Sequence, residues 1–529
     1  MLKKRNILLI ITDQHRADHL GCYGNKIVQT PSIDRLAAKG VRFDRFYVAT
    51  PICMPNRATL MTGRMPSLHG VRHNGIPLPL DATTFVEVLR ESGYSTALAG
   101  KAHLQSISGK PIKMGLPETD PLLSPPPFGL REAIQGTLND PVYNQELPKT
   151  WSQDDFEIET PFYGFDKVSL VVGHGDEVTG HYRRWLHQQH PDAASLVGKQ
   201  NAFPSDTVCP QAWRTRVPEE LYSTSFIEQE AIKFLNGFAQ DKQPFFLQCS
   251  FPDPHHPFTP PGRYWEMYKP DDIPLPKAFD HPESEIPPHL EFLHKDLQAG
   301  RADATGNTVA GVTAEQAKAA IALTYGSITM IDNAVGRILE HLEAAGLAQD
   351  TLVIFTSDHG DLMGDHKLLL KGALHYQGLV RVPCIWVDPH KPDLPSTTST
   401  LCGTLDLAPS ILRYAGISPV NGMQGKNLPD LIIDSHERAM VIEDNPRRAY
   451  MGLPSNFMVR TLMTEKWRFS LYSGVTWGEM YDLEVDPYEF KNLWDDTNYS
   501  YVREMLMEQL LREMLALSDT SPLATGHGP

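Results

Sequence analysis

The stretch 6–14, NILLIITDQ, is an apolar, strand-forming run that ends at once in Asp13 and Gln14. An apolar run without alternation suits a strand buried on both faces, as in a parallel sheet covered by helices. The figure recurs. STALA at 95–99 leads to Lys101 and His103, FFLQCS at 245–250 to His255 and His256, and LVIFT at 352–356 to Asp358 and His359; VPCIWV at 382–387 is a further run of this kind. Helical patterns lie between them. Pro31 opens PSIDRLAAKG, with Ile33, Leu36 and Ala37 on one face and Gly40 placed as a C-cap. Thr313 and Gln316 make a capping box for a long helix whose stripe of Ile321, Tyr325, Ile328, Val335, Ile338 and Leu342 stops near Gly346. The fold class is therefore α/β, a largely parallel sheet flanked by helices. Ligands of such sheets bind outside the carboxyl ends of the strands, so the four polar strand ends point at one site.

The 529 residues carry 48 Lys+Arg against 64 Asp+Glu, a net charge of −16, which excludes nucleic acid as a default partner. With 41% hydrophobic and 21% charged residues, the composition is that of a globular chain with a large core. No run of about 18 apolar residues occurs, so no membrane span is expected. The start MLKKR with its short apolar run lacks a small-residue cleavage site and reads as a strand, not a leader. Cysteines at 22, 53, 209, 249, 384 and 402 form no CxxC pair, which argues against a disulfide framework or a zinc knuckle and for a cytoplasmic chain.

Residues 105–217 break the rhythm, being rich in Pro, Gly and acidic residues with aromatic residues at no steady period. Such an insertion lids a site or meets a neighbouring subunit. Past a helical stretch at 404–415, short runs at 439–443, 457–463, 466–471 and 480–483 suit an antiparallel sheet, and Leu506, Leu510, Met514 and Leu517 mark a last helix. The expected organisation is a catalytic α/β domain over 1–434 and a smaller C-terminal α+β domain over 435–529. Its tail, SPLATGHGP, is either loose or an arm to a neighbour, which leaves a homo-oligomer open.

Asp13, Asp358 and His359 combine two carboxylates with an imidazole, a donor set for Mn²⁺, Ca²⁺ or Mg²⁺ rather than for a thiolate-held metal, and Gln14 can add a carbonyl oxygen. The sharpest local signal is Cys53-Met54-Pro55-Asn56-Arg57, followed by ATLMTGR. Pro55 suits the first turn of a helix that stops at Gly63, which sets Cys53 beside the positive helix N-terminus with Arg57 one turn along. An anion held there meets free N–H groups and a guanidinium fork. Chance alone yields C-x-P-x-R in roughly 2% of chains with this many cysteines.

With the trailing Thr62-Gly63-Arg64, this pentapeptide makes the chain resemble the formylglycine-dependent sulfatases of the alkaline phosphatase superfamily. GYSTALAGKAHL at 93–104, PHHP at 254–257, SDHGDLMGDH at 357–366, Lys371 before RVP at 381–383 and YDLEVDPYEFKNL at 481–493 extend the likeness along most of the chain, the insertion excepted. The resemblance implies an alkaline phosphatase-like sheet and hydrolysis of small-molecule sulfate monoesters, aryl sulfates above all. It implies that a formylglycine-generating enzyme oxidises Cys53, and that Asp13, position 53, Asp358 and His359 hold one divalent metal ion. Asp358 would take the proton of the nucleophile, and Arg57, Lys101 and Lys371 would neutralise charge around the transferring group. His255 or Lys371 would serve the departing oxygen, His103 would deprotonate the second hydroxyl of the aldehyde hydrate, and Asn74 and Gln14 would contact substrate. Tyr23, His73 and His375 stay open between pocket wall and packing.

Many sulfatases have a second Asp and an Asn where Gln14 and His359 stand. The pair found here resembles the phosphonate monoester hydrolases and choline sulfatases instead, which favours Mn²⁺ over Ca²⁺ and keeps phosphonate monoesters and phosphodiesters open as substrates. A catalytically silent, anion-binding relative is the reading from another class, and the completeness of the site weighs against it.

Overall fold

In the computed structural model, β1 (Asn6–Thr12) runs through the middle of a nine-stranded sheet and is buried along nearly its whole length. Ile7, Leu9 and Ile11 enter one hydrophobic core and Leu8 and Ile10 the other, which is why the run does not alternate. The structure describes residues 5–108, 141–153, 155–280, 286–304, 306, 308–433, 437–446, 453 and 457–520. Among them the sheet continues with β2 (Val41–Phe43), β3 (Ser95–Gly100), β4 (Lys167–Val172), β5 (Thr179–Gly180), β6 (Phe245–Ser250), β7 (Thr351–Ser357), β8 (Cys384–Val387) and β9 (Thr397–Thr398). Their spatial order is β9-β2-β8-β7-β1-β6-β3-β4-β5. The five central strands β7, β1, β6, β3 and β4 are parallel, with Leu8 level with both Leu247 and Val353. Their C-terminal ends therefore open along one edge, where the polar residues after each strand converge.

Helices cover both faces. α1 (Pro31–Ala37), α4 (Ser223–Asp241) and α5 (Ala314–Ala344) pack on the Leu8 side, while α2 (Cys53–Thr62), α3 (Phe85–Glu91) and α6 (Leu407–Tyr414) pack on the Ile7 side. The capping box at Thr313 forms as expected, with Gln316 N–H on Thr313 Oγ1 at 3.2 Å and Thr313 N–H on Gln316 Oε1 at 3.0 Å. Gly40 does not cap α1, which ends at Ala37 with Ala38 as its C-cap; it is small because a Cβ there would run into the carbonyl oxygen of Trp386.

Two further expectations need correcting. The strand expected at 382–387 is shorter, Cys384–Val387, and it pairs antiparallel to β7 and β2, since strand direction leaves no mark on composition. Residues 105–217 are not wholly outside the sheet: β4 pairs with β3 and belongs to its core, hidden in sequence by the Pro- and Gly-rich chain around it.

The C-terminal unit is the expected antiparallel sheet, β10 (Met440–Asp444), β11 (Val459–Met463), β12 (Trp467–Tyr472) and β13 (Gly478–Asp482) in sequential order, followed by α7 (Ser500–Ala516). One face joins Leu506 and Leu510 of α7 to Ala49, Met65 and Leu405. The other packs Val459, Tyr472 and Tyr481 on Leu362, Leu368, Leu374 and Tyr376. The domain boundary expected at 434/435 and the tail 521–529 lie outside the described residues. No described helix is long and apolar enough to cross a membrane.

Candidate active site

α2 begins at Cys53 and ends where Gly63 takes a left-handed φ of 65° and returns its N–H to Thr59 O. Every residue of α2 is buried, and Asn56 ties it to the sheet: its amide donates to Asp358 O at 2.6 Å while its carbonyl accepts from Ala49 N–H and Thr404 Oγ1. The first turn of α2 thus meets the ends of β1 and β7. Cys53 Sγ stands 3.1 Å from His359 Nε2, 3.9 Å from Asp13 Oδ1 and 2.8 Å from Lys371 Nζ. Burial and Asp13 push the thiol up, but Lys371, His359 and Lys101 outweigh them and bring it below its ordinary range.

Asp13 sits at the centre of the cations. Burial alone would raise its carboxyl, yet Lys101 and His255 hold it well below the usual carboxylate range. Lys101 Nζ bonds Asp13 Oδ2, and Arg57 Nη2 lies 3.7 Å from the same oxygen. Arg57 also donates from Nε to Asp358 Oδ2 at 2.7 Å and from Nη1 to Lys101 O and Ser250 Oγ. Lys371 Nζ lies 2.9 Å from His255 Nε2 and 2.8 Å from His359 Nε2.

Donor atoms of Asp13, Cys53, His255 and His359 all lie within 4.8 Å of one another, a group able to hold a metal ion. His255 joins this group as well, while Asp358, expected among the ligands, gives one oxygen to Arg57 and keeps the other, which accepts Gln14 N–H at 3.2 Å, 3.8 Å from His359 Nε2. The donor set fits a divalent cation. His359 donates Nδ1–H to Gly360 O at 2.7 Å, which leaves Nε2 turned toward Asp13 and Cys53. Burial and Lys371 disfavour a proton on His359, but Cys53, Asp358 and Asp13 carry its pKa up to about 10, so the pocket draws positive charge to that spot.

The remaining expected residues fall as follows. His103 is buried at a left-handed φ of 54°, its Nδ1 without a partner among the described residues, and burial and Lys101 keep its ring neutral. Its backbone N–H and those of Leu104 and Gln105 all donate to Glu146, a buried carboxylate of the insertion. The Gln14 carbonyl accepts from His256 Nδ1 at 3.1 Å rather than facing a metal, and its Nε2 is buried with no partner among the described residues. Asn74 is exposed, and its side-chain oxygen takes the Met54 N–H, so it caps the first turn of α2. Tyr23 and His375 belong to packing: the Tyr23 hydroxyl bonds the backbone of Phe43 and Cys384, and His375 lies against Thr461.

One residue escapes the sequence reading. His174 follows β4, its Nε2 lying 2.6 Å from Lys101 Nζ and its ring stacked on His255 with centroids 3.7 Å apart. Its signal was the strand-end rule that exposed the others, applied to KVSLVVGH inside the insertion.

A sequence profile of the sulfatase family matches residues 5–417, and one described as N-sulphoglucosamine sulphohydrolase, C-terminal, matches 364–515. The chain is 30% identical to an arylsulfatase of Clostridium perfringens over 535 residues, covering 99% of this chain and 98% of the relative. It is 25% identical to a multifunctional alkaline phosphatase superfamily protein of Trinickia caryophylli, covering 98% and 96%. Among solved structures, the phosphonate monoester hydrolase of Agrobacterium radiobacter matches with a TM-score of 0.76 and 26% identity, over 98% of this chain and 97% of that one.

Proposed function

The chain belongs to the sulfatase family of sulfuric ester hydrolases, and on that premise we propose that it cleaves aryl sulfate monoesters with an aldehyde made from Cys53 and one divalent cation. The observation that carries this reading is the position of Cys53 Sγ, at the first turn of a buried helix and within 2.8 Å and 3.1 Å of Lys371 Nζ and His359 Nε2. Asp13, position 53, Asp358 and His359 would hold the cation, Mn²⁺ in preference to Ca²⁺, and when bound it would acidify a ligated hydroxyl and polarise the ester oxygens. One oxygen of the aldehyde hydrate would attack the sulfur and carry the sulfate; loss of the proton from the second hydroxyl would then re-form the aldehyde C=O as the bond from carbon to the sulfated oxygen breaks and sulfate leaves.

The chain's own groups do the rest. Gln14 Nε2 and Arg57 Nη2, both buried donors without hydrogen-bond partners among the described residues, await acceptor oxygens of an anionic ester. Lys101 and Lys371 bring positive charge to the same space, and such preorganised donors are worth about 10²–10³ each in rate. The proton for the departing oxygen comes from the Lys371–His255 pair. His255 commits Nδ1–H to His256 O at 2.5 Å, so its Nε2 accepts from Lys371 and the transferable proton sits between them. His103, kept neutral, can take the proton of the second hydroxyl.

A second reading, phosphonate monoester or phosphodiester hydrolysis as the main activity, draws support from Gln14 and His359 and from the likeness to the Agrobacterium enzyme. A sulfate monoester and a phosphodiester are both monoanions, so one ring of cations serves either. Two measurements decide. Mass spectrometry of the Cys53 peptide, from cells able to make the modification, is expected to show the aldehyde; the unmodified thiol alone would overturn the mechanism. On the same preparation, kcat/KM is expected to favour an aryl sulfate over an aryl phosphonate, and a large reverse preference would install the second reading.

A further inference from the structure

His174, supplied by the insertion, borders the cluster of Asp13, Cys53, His255 and His359 and touches both Lys101 and His255. Its Nε2 is 2.6 Å from Lys101 Nζ and 3.6 Å from Asp13 Oδ2. Its ring lies nearly flat on His255, centroids 3.7 Å apart with 13° between planes, and His255 in turn lies on His256 at 4.0 Å, giving a stack of three imidazoles. The side chain is 15% exposed, whereas those of Asp13 and Lys101 behind it have no exposure.

The turn that presents this ring is built for it. Gly173 and Gly175 flank His174 with φ of 101° and 59°, conformations that side chains rarely adopt, and a Cβ on Gly175 would run into Pro257. Two residues past His174, the buried Asp176 anchors the turn by accepting from Trp213 Nε1, Thr215 Oγ1 and Gly198 N–H. The partly exposed imidazole thus sits on a turn whose shape is set by two glycines at positive φ and by the buried Asp176.

We propose that His174 is a positioning residue that sets Lys101 and His255 against one another, its Nε2 lone pair accepting from Lys101 and its ring face fixing the plane of His255. Lys101 then keeps one proton on Asp13 and one on His174, which leaves the third for an oxygen of the transferring group. His255, clamped between two rings, keeps its Nε2 on Lys371, where the proton for the departing oxygen is held. The insertion thus supplies the piece that couples anion binding to leaving-group departure.

The two contacts can be removed separately. His174→Phe keeps a ring on His255 and loses the acceptor for Lys101; His174→Gln keeps an acceptor and loses the ring. On matured, metal-loaded enzyme, His174→Phe is expected to weaken inhibition by inorganic sulfate about tenfold and to lower kcat/KM by a similar factor for every aryl sulfate, whatever its leaving group. His174→Gln is expected to keep sulfate inhibition within about threefold of the parent but to lose rate progressively as the leaving phenol becomes more basic. If both variants lose the same factor on every substrate, or neither moves sulfate inhibition nor leaving-group dependence, the role is overturned. This role rests on the sulfate-ester reading, and the two fail differently: a parent enzyme inert toward every aryl sulfate would defeat that reading, whereas an active parent with indifferent variants would defeat only the role of His174.

Discussion

Arg57 joins partners from three elements with one guanidinium: Nε reaches Asp358 after β7, Nη1 reaches the backbone of Lys101 after β3 and the hydroxyl of Ser250 in β6. A lysine would carry the same charge on a single point and could not hold these groups in their relative places. Arg57→Lys is therefore expected to lower kcat/KM by about 10²–10³, read by steady-state kinetics, with a lowered melting temperature because Asp358, Lys101 and Ser250 can no longer all be held by one side chain. A loss under about threefold would show that Arg57 is a structural tie and not part of the anion's surroundings. The metal can be tested at the same scale. Dialysis against a chelator is expected to abolish turnover, and Mn²⁺ is expected to restore it further than Ca²⁺, since an imidazole at His359 suits Mn²⁺ better. Equal recovery with Ca²⁺, with metal content measured alongside, would overturn the preference for Mn²⁺.

Between elements, the junction of α1 and α5 gives a pH-dependent handle far from the chemistry. Thr30 makes no side-chain cap on α1, and Asp332 of α5 does that work from 300 residues away, accepting Ser32 N–H at 3.0 Å and Ile33 N–H at 2.8 Å. Burial lifts the Asp332 carboxyl to about 6 against the pull of those N–H groups. The folded state thus keeps a proton that the unfolded chain releases near pH 4, so the stability this group contributes is full below about pH 4 and is lost as pH rises through 6. Asp332→Asn, which mimics the protonated form, is expected to stabilise the protein by about 3 kcal/mol above pH 7 and to change little at pH 4, as thermal melts across pH would show. Elements differ in how plainly the sequence announces them. β1 and β6 are legible because burial on both faces writes an unbroken apolar run, and the Thr313 capping box because two side chains satisfy each other. β2 and β9 span too few residues to carry any period, and β8 hides its direction. The site was readable wherever a strand end or helix start announced it. His174 also follows a strand end, but one hidden in the Pro- and Gly-rich chain of the insertion, and nothing local in Glu146 foretells that three backbone N–H groups will converge on it.

Across the whole molecule, the C-terminal sheet braces the segment that carries Lys371. Arg468 of β12 is fully buried, bonded to Glu479 and Glu489, and sandwiched between the rings of Tyr376 and Tyr481 at 4.7 Å and 4.5 Å. The same two carboxylates reach back to the 371–377 segment: Glu479 accepts the Tyr376 hydroxyl at 3.0 Å and Glu489 accepts Gln377 N–H at 2.9 Å. Burial opposes charge on Glu479, yet Arg468 holds its carboxyl well below the ordinary range, so the stability it contributes is present above the usual glutamate pKa and is lost as pH falls below it. Arg468→Met would strand two buried carboxylates, at a cost of about 3–5 kcal/mol, and would remove much of that acid sensitivity along with the pair. Because the brace ends at Gln377 and Tyr376, kcat is expected to fall well below the melting transition, while Cys53 is still converted to the aldehyde. Calorimetry, kinetics at low temperature and mass of the Cys53 peptide on one preparation would read all three. A variant that melts early but turns over at the parent's rate while folded would mean that the C-terminal sheet stabilises the fold without holding Lys371 in place.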